Sequence, residues 1–148
     1  MSTKRTFPLR NARGFTFTEA LVALLVLSIG LLGVAALQLT SLRSNHSSSL
    51  RSQATLLAYD MVDRMRANRN AALGGAYDIA LAVTPTTGSL ALADLARWKG
   101  NLLNTLPTGD GSIARTVTGT VTTFTVTVRW DDSRGTADAM QFVMETQI

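Results

Sequence analysis

Residues 13–27 read RGFTFTEALVALLVL, and their reading decides the architecture. They set one carboxylate, Glu19, at the mouth of an apolar run. The next formal charge is Arg43, 23 uncharged residues later, and from Ala20 to Leu37 only Ser28 carries a polar side chain. About 20 apolar residues span a hydrocarbon core of roughly 30 Å, so the run is long enough to cross a membrane. A charge in hydrocarbon costs roughly 2.5 to 3.5 kcal/mol, which makes Glu19 a functional residue in need of a partner.

Working outward, the charges divide sharply at Gly14. Lys4, Arg5, Arg10 and Arg13 precede it with no acidic residue among them, whereas Phe15 onward carries ten residues of each sign. The pI near 10.3 therefore belongs to the leader alone. A basic segment flanking an apolar run keeps its side of the membrane cytoplasmic, and a nucleic-acid partner loses its main support. With 148 residues and no cysteine, the chain is the size of one domain and cannot be stapled by disulfides.

Past Arg43 the helical pattern persists. Leu50, Ala54, Leu57, Ala58, Met61, Val62 and Met65 recur at three- and four-residue spacing, and Asp60 with Arg64 and Asp63 with Arg66 stand at ion-pairing intervals. The pattern predicts one continuous helix from Phe15 to Leu73, roughly 90 Å long, ended by Gly74-Gly75. An ordinary secretory signal cut before Leu37, after Val34 and Ala36, is the competing reading. A signal gains nothing from Glu19, however, and is not followed by a helix that simply continues. Gly30 and Gly33 are candidates for close helix packing in lipid.

The segment RGFTFTEALVALLVLSIGLLGVAALQ resembles the N-terminus of type IV pilins and of the pseudopilins of type II secretion. In that family a basic leader ends in glycine, the mature chain starts with phenylalanine, and a glutamate holds the fifth mature position; here these are Gly14, Phe15 and Glu19. The resemblance implies that a prepilin peptidase cuts between Gly14 and Phe15 and N-methylates Phe15. It also supplies a partner for Glu19: the amino terminus of a neighbouring subunit, with Phe15 and Glu19 acting together in assembly.

The domains expected are a cleaved leader at 1–14, a transmembrane and assembly half-helix at 15–42, an amphipathic half at 43–73, and a globular head at 74–148. In the head, residues 74–89 read as a loop. Leu90 to Leu106 read as a helix with Ser89 as N-cap and Leu95, Trp98, Leu102 and Leu106 as its apolar stripe. Phe124, Val126, Val128 and Trp130 alternate with polar residues as one face of a strand, residues 116–121 read as its preceding neighbour, and Met140, Phe142 and Met144 point inward from the last strand. The expected fold is α+β and pilin-like, a long N-terminal helix packed through its second half on a small antiparallel sheet of three or four strands.

The order of a DLARW helix, an LPTGDG turn and an FTVTVRWDD strand further resembles the minor pilins known as type IV pilus modification proteins. That implies a subunit of the inner membrane, N-terminus cytoplasmic and head periplasmic, which helps to start a pilus and sits near its tip. Implied partners are other minor pilins, a major pilin, the inner-membrane assembly platform and, as a further candidate, a tip adhesin. The alternatives are a minor pseudopilin of type II secretion and a membrane-anchored or secreted binding module.

Chemistry is sparse. His46 is the one histidine and reads as a solvated or headgroup-facing side chain. Asp131 and Asp132 would need a turn to share a cation, Asp110 and Gly111 lack the rest of a calcium loop, and Arg64, Arg66 and Arg69 read as a solvated helix face. No catalytic residue, cofactor or metal site is expected, and the chain reads as a structural protein and not an enzyme.

Overall fold

In the computed structural model, which describes residues 15–133 and 135–148, three helices precede three strands: α1 (Phe17–Ala67), α2 (Arg69–Leu73), α3 (Leu90–Thr105), β1 (Asp110–Thr118), β2 (Val121–Trp130) and β3 (Met140–Thr146). The predicted leader, with Gly14, lies outside the described residues. The chain divides into two units that meet between Arg43 and Ser44.

In the first unit every described residue is exposed. The best 18-residue window of α1 has a mean hydropathy of 2.7 and buries none of its residues within the chain, so the helix is long and apolar enough to cross a membrane. Two hydroxyls within it turn inward on their own helix: Ser28 Oγ donates to the Leu24 carbonyl at 2.7 Å and Thr40 Oγ1 to the Ala36 carbonyl at 3.0 Å. Back-bonding of this kind satisfies these two donors without help from an apolar solvent.

In the second unit the predicted stripes meet. Leu50, Ala54, Ala58, Met61, Val62 and Met65 of α1, Leu95, Trp98 and Leu102 of α3, Leu106 just beyond it, and Phe124, Val126, Val128 and Trp130 of β2 share one core, with Leu57 packed at its border. Ser89 caps α3 by accepting the Leu92 N–H at 3.2 Å. The sheet is an antiparallel meander in the order β1-β2-β3, with Ile113 opposite Val126 and Val126 opposite Met144. Among the described residues three strands therefore form where three or four were expected.

Three boundaries differ from the sequence-based expectation, each for a local reason. The long helix ends at Ala67, and only the five residues of α2 follow, because Asn68 takes φ −119° and ψ 50° while its Nδ2 donates to the Tyr77 hydroxyl at 3.2 Å. An asparagine amide offered a partner outside the helix competes with the helical backbone. The first strand spans 110–118, not 116–121. Gly119, at φ +62°, opens a two-residue turn between the paired Thr118 and Val121, the position where a tight hairpin requires glycine. The earlier Gly111, by contrast, is no turn residue: it lies in β1 where a Cβ would collide with the Trp98 ring, so only glycine lets strand and indole approach. Finally, the segment 74–89 is not simply a solvated loop, since Tyr77 is fully buried and Ile79 bridges Ile113.

Candidate functional site

The mature N-terminus expected from the sequence starts at Phe15, an exposed residue ahead of α1. Thr16 stands just ahead of α1, at its N-cap position. Its carbonyl accepts the N–H groups of Glu19 and Ala20 at 3.1 and 3.2 Å, and its hydroxyl accepts the Glu19 N–H at 3.4 Å. The spacing Thr16-x-x-Glu19 is that of a capping box, a signal in the sequence overlooked in reading it for membrane length alone. Only the threonine half of the box forms. Among the described residues the Glu19 carboxylate accepts no hydrogen bond and makes no ion pair, and it stands exposed in the first turn of α1.

This placement gives Glu19 two favourable fields. Its own helix N-terminus carries a partial positive charge that stabilises a carboxylate by about 0.3 to 1 kcal/mol. A cationic group brought within about 4 to 6 Å would interact far more strongly once water is excluded. The arrangement is an uncompensated acceptor at the head of an uncovered apolar helix. Gly30 and Gly33 leave open space where a Cβ would stand, so nothing within the chain occupies the notches they create.

The polar side chains of the second unit, Ser44–Ile148 and hereafter the head, are by contrast engaged with one another. Arg64 donates through Nε and Nη2 to the two carboxylate oxygens of Asp60, at 2.9 and 3.3 Å, and through Nη1 to Asp94 at 3.1 Å. Tyr77 donates its hydroxyl to the other Asp94 oxygen at 2.9 Å. Asp94 is 9% exposed and holds this network together. The Asp60 and Asp94 carboxylates raise the Arg64 pKa, the Asp60 hydrogen bond most, against the opposing effect of burial. Burial likewise raises the Tyr77 pKa. The predicted Asp60–Arg64 and Asp63–Arg66 pairs are both present. Arg64 is nonetheless no member of a solvated face, because it turns toward α3; Arg66 and Arg69 do stay exposed. Asp94 was legible as an acid in phase with the apolar stripe of α3, and Tyr77 as an aromatic residue stranded in a glycine-alanine stretch.

A second set of contacts pins the 76–89 segment. Asp110 accepts the Ala82 N–H at 2.6 Å and the Gly111 N–H at 2.8 Å and pairs with Lys99 at 2.9 Å. Burial pushes the Asp110 carboxyl up, but the Ala82 N–H, Lys99 and the Gly111 N–H outweigh it and hold the pKa below the ordinary aspartate value. Arg115 reaches Asp78 at 3.5 Å and donates to the Leu73 carbonyl. Asp131 organises its own loop, accepting from the Ser133 N–H, the Ser133 hydroxyl and the Gly135 N–H at 2.7 to 2.8 Å. Among the described residues no three His, Cys, Asp or Glu side chains gather in a metal-holding group.

Two family models match the chain. Residues 9–35 match the prokaryotic N-terminal methylation motif, and residues 36–93 match the family described as type IV pilin Tt1218. No curated protein and no solved structure matches. The first match covers Gly14, Phe15 and Glu19, and the second runs through the α1 stripe, the 74–89 segment and the start of α3. The methylation motif implies processing by a prepilin peptidase in the setting of pilus assembly, and the leader followed by an apolar helix fits a membrane-anchored pilin. Adjoining over residues 9–93, the two matches support a type IV pilin-like family for a chain whose long helix and three-stranded antiparallel sheet form a pilin-like α+β fold.

Proposed function

We propose that this chain is a minor type IV pilin, a structural subunit that helps to start pilus assembly and enters the filament at or near its tip through its N-terminal helix. In this reading residues 1–14 form a leader, and the precursor crosses the inner membrane once through residues 15–42, N-terminus cytoplasmic and head periplasmic. Prepilin peptidase cuts between Gly14 and Phe15 and N-methylates Phe15. Other minor pilins, a major pilin, the assembly platform and a tip adhesin are its partners. Within the class, the order of elements in the C-terminal half most resembles the minor pilin called type IV pilus modification protein PilV.

One observation carries the proposal: a methylation-motif match over residues 9–35 opens onto a helix whose apolar first half covers none of its own surface and whose acid there, Glu19, has no partner among the described residues. A buried carboxylate left without its partner costs about 3 to 5 kcal/mol, so the amine freed at Phe15 of a neighbouring subunit is the natural complement. N-terminal sequencing and intact mass of the membrane-resident protein test the reading directly. The expected mature chain starts at N-methylated Phe15; a start at Leu37 or a retained Met1 would remove it. Gly14→Val abolishes cleavage by crowding the scissile bond. Glu19→Ala leaves cleavage intact and lowers recovery of the subunit in sheared filaments by at least about tenfold.

A further inference from the structure

Helix α1 runs unbroken from Phe17 to Ala67, but its parts are held by different things. From Ala20 to Leu42 the side chains are mostly apolar and carry no formal charge. In hydrocarbon nothing replaces a broken backbone hydrogen bond, so the helix is enforced there. From Leu50 onward it is held by packing, because Leu50, Ala54, Ala58, Met61, Val62 and Met65 are buried in the head's core and the Asp60–Arg64 and Asp63–Arg66 pairs add to that. Between the two parts lies RSNHSSS, residues 43–49, which has neither support. None of these residues is buried, and only Ser47 is partly covered.

The stretch also lacks what sustains a helix by itself. Ser44–Ser49 are six consecutive weak helix formers, four serines with an asparagine and a histidine. Serine and asparagine side chains compete for the backbone groups a helix needs. No acidic residue stands between Glu19 and Asp60, so neither Arg43 nor Arg51 has a carboxylate three or four places away along the helix. The hydroxyls turn back on the chain instead: Ser48 Oγ donates to the Ser44 carbonyl at 2.9 Å, Ser52 Oγ to the Ser48 carbonyl at 3.0 Å and Thr55 Oγ1 to the Arg51 carbonyl at 2.9 Å. Back-bonding of this kind slightly weakens a helix and often bends it. The boundary between the chain's two units, Arg43 to Ser44, falls at the start of the same stretch.

We infer that α1 carries a hinge at Ser44–Ser49, residues that exchange between helix and coil while the helix on both sides stays formed. Opening a coil inside a helix meets the nucleation factor, on the order of a thousandfold against it. Each weak former favours opening over an alanine by roughly two- to threefold, so six in a row offset about a hundredfold of that. The coil is a minority state in equilibrium with the helix. It lets the head be redirected while both flanking parts of α1 keep their hydrogen bonds. The opening needs only a polar stretch outside hydrocarbon, so it does not rest on the pilus reading.

The absence of cysteine makes paired spin labelling direct. Leu39 and Tyr59 are half exposed and flank the stretch; Leu21 and Leu39 are equally exposed and do not cross it. On an unbroken helix, nitroxide pairs at L39C/Y59C and L21C/L39C of the full-length chain in detergent micelles would lie roughly 30 and 27 Å apart. The L21C/L39C distance distribution is expected to be narrow and that of L39C/Y59C at least about twice as wide. Introducing S44A, N45A, S47A, S48A and S49A together should narrow the second distribution to the width of the first. Hydrogen exchange in the same micelles reads the opening itself. The amides of residues 47–51 should exchange faster than those on either side, and the five alanines should slow them at least about tenfold while leaving residues 58–65 unchanged. Equal widths for the two pairs, an L39C/Y59C width indifferent to the alanines, or residues 47–51 protected as well as the rest of α1 would each overturn the hinge.

Discussion

Residues 15–43 and residues 44–148 differ both in hydrophobicity and in where their interactions end. In the first unit every described side chain is exposed, the hydroxyls of Ser28 and Thr40 close on their own helix, and Glu19 has no partner among the described residues. In the second, large apolar residues bury one another, and Asp60, Arg64, Asp94, Tyr77 and Asn68 form a connected polar network. The head is stable through contacts the single chain contains. The apolar half-helix obtains its stability from a surrounding the single chain lacks, whether lipid or other helices. Substitutions should therefore separate cleanly. Both tryptophans, Trp98 and Trp130, lie in the head, so indole fluorescence of the full chain in detergent reports that unit alone.

The largest effects should come from the head's core. Leu102 is fully buried, and Leu102→Ala should lower the head's unfolding free energy by about 2 to 5 kcal/mol, through lost burial and a residual cavity. Leu32 is 72% exposed, and Leu32→Ala should shift the same fluorescence transition by less than about 0.5 kcal/mol. Comparable shifts from the two would mean that the units are energetically joined. Asp94→Ala should follow at about 3 kcal/mol, because it leaves the Tyr77 hydroxyl without its acceptor and Arg64 with Asp60 alone. Denaturant titration of the two variants orders them.

How far the sequence could be read follows the same division. The apolar run needs only composition, because a solvent of one kind selects residues of one kind, and the α1, α3 and β2 stripes follow from period alone. The α3 cap and the inward face of β3 were legible for the same local reason. What escaped depended on a distant residue. Nothing near Asn68 signals that its amide will leave the helix for Tyr77, and Gly111 looks like a turn residue until Trp98 is packed on it. The capping-box spacing of Thr16 and Glu19 is local and could have been read. It was obscured because membrane length and the family motif already accounted for the same residues.

A smaller effect should appear as pH dependence confined to the head. The Asp110 pKa is held below its unfolded value, so the group contributes stability that is complete above the unfolded aspartate value and is lost as pH falls through the lower, folded value. In the full chain, acidification below about pH 4 should therefore steepen unfolding. Asp110→Asn should flatten that limb and cost about 1 kcal/mol at neutral pH, keeping an oxygen for the Ala82 N–H while losing the pairing with Lys99. An unchanged acid limb would mean that Lys99 and the backbone donors do not favour the ionised form.

The smallest effect on the head should come from Gly30→Ala, and it sharpens the comparison most. The added Cβ meets no atom within 4 Å in the single chain, and alanine is favoured over glycine in a helix interior by about 1 kcal/mol. Within one molecule the change is therefore neutral or mildly favourable, and the head's fluorescence transition should stay within about 0.5 kcal/mol of the parent. Glycine at this place is then explicable only by something outside the chain. Where helices in an apolar solvent approach closely, one methyl at the contact separates their backbones and weakens packing along the whole crossing. Recovery of Gly30→Ala in sheared filaments should accordingly fall although the subunit is folded, inserted and cut as before. If recovery is unchanged, Gly30 faces lipid and the close contacts of this helix lie elsewhere along it.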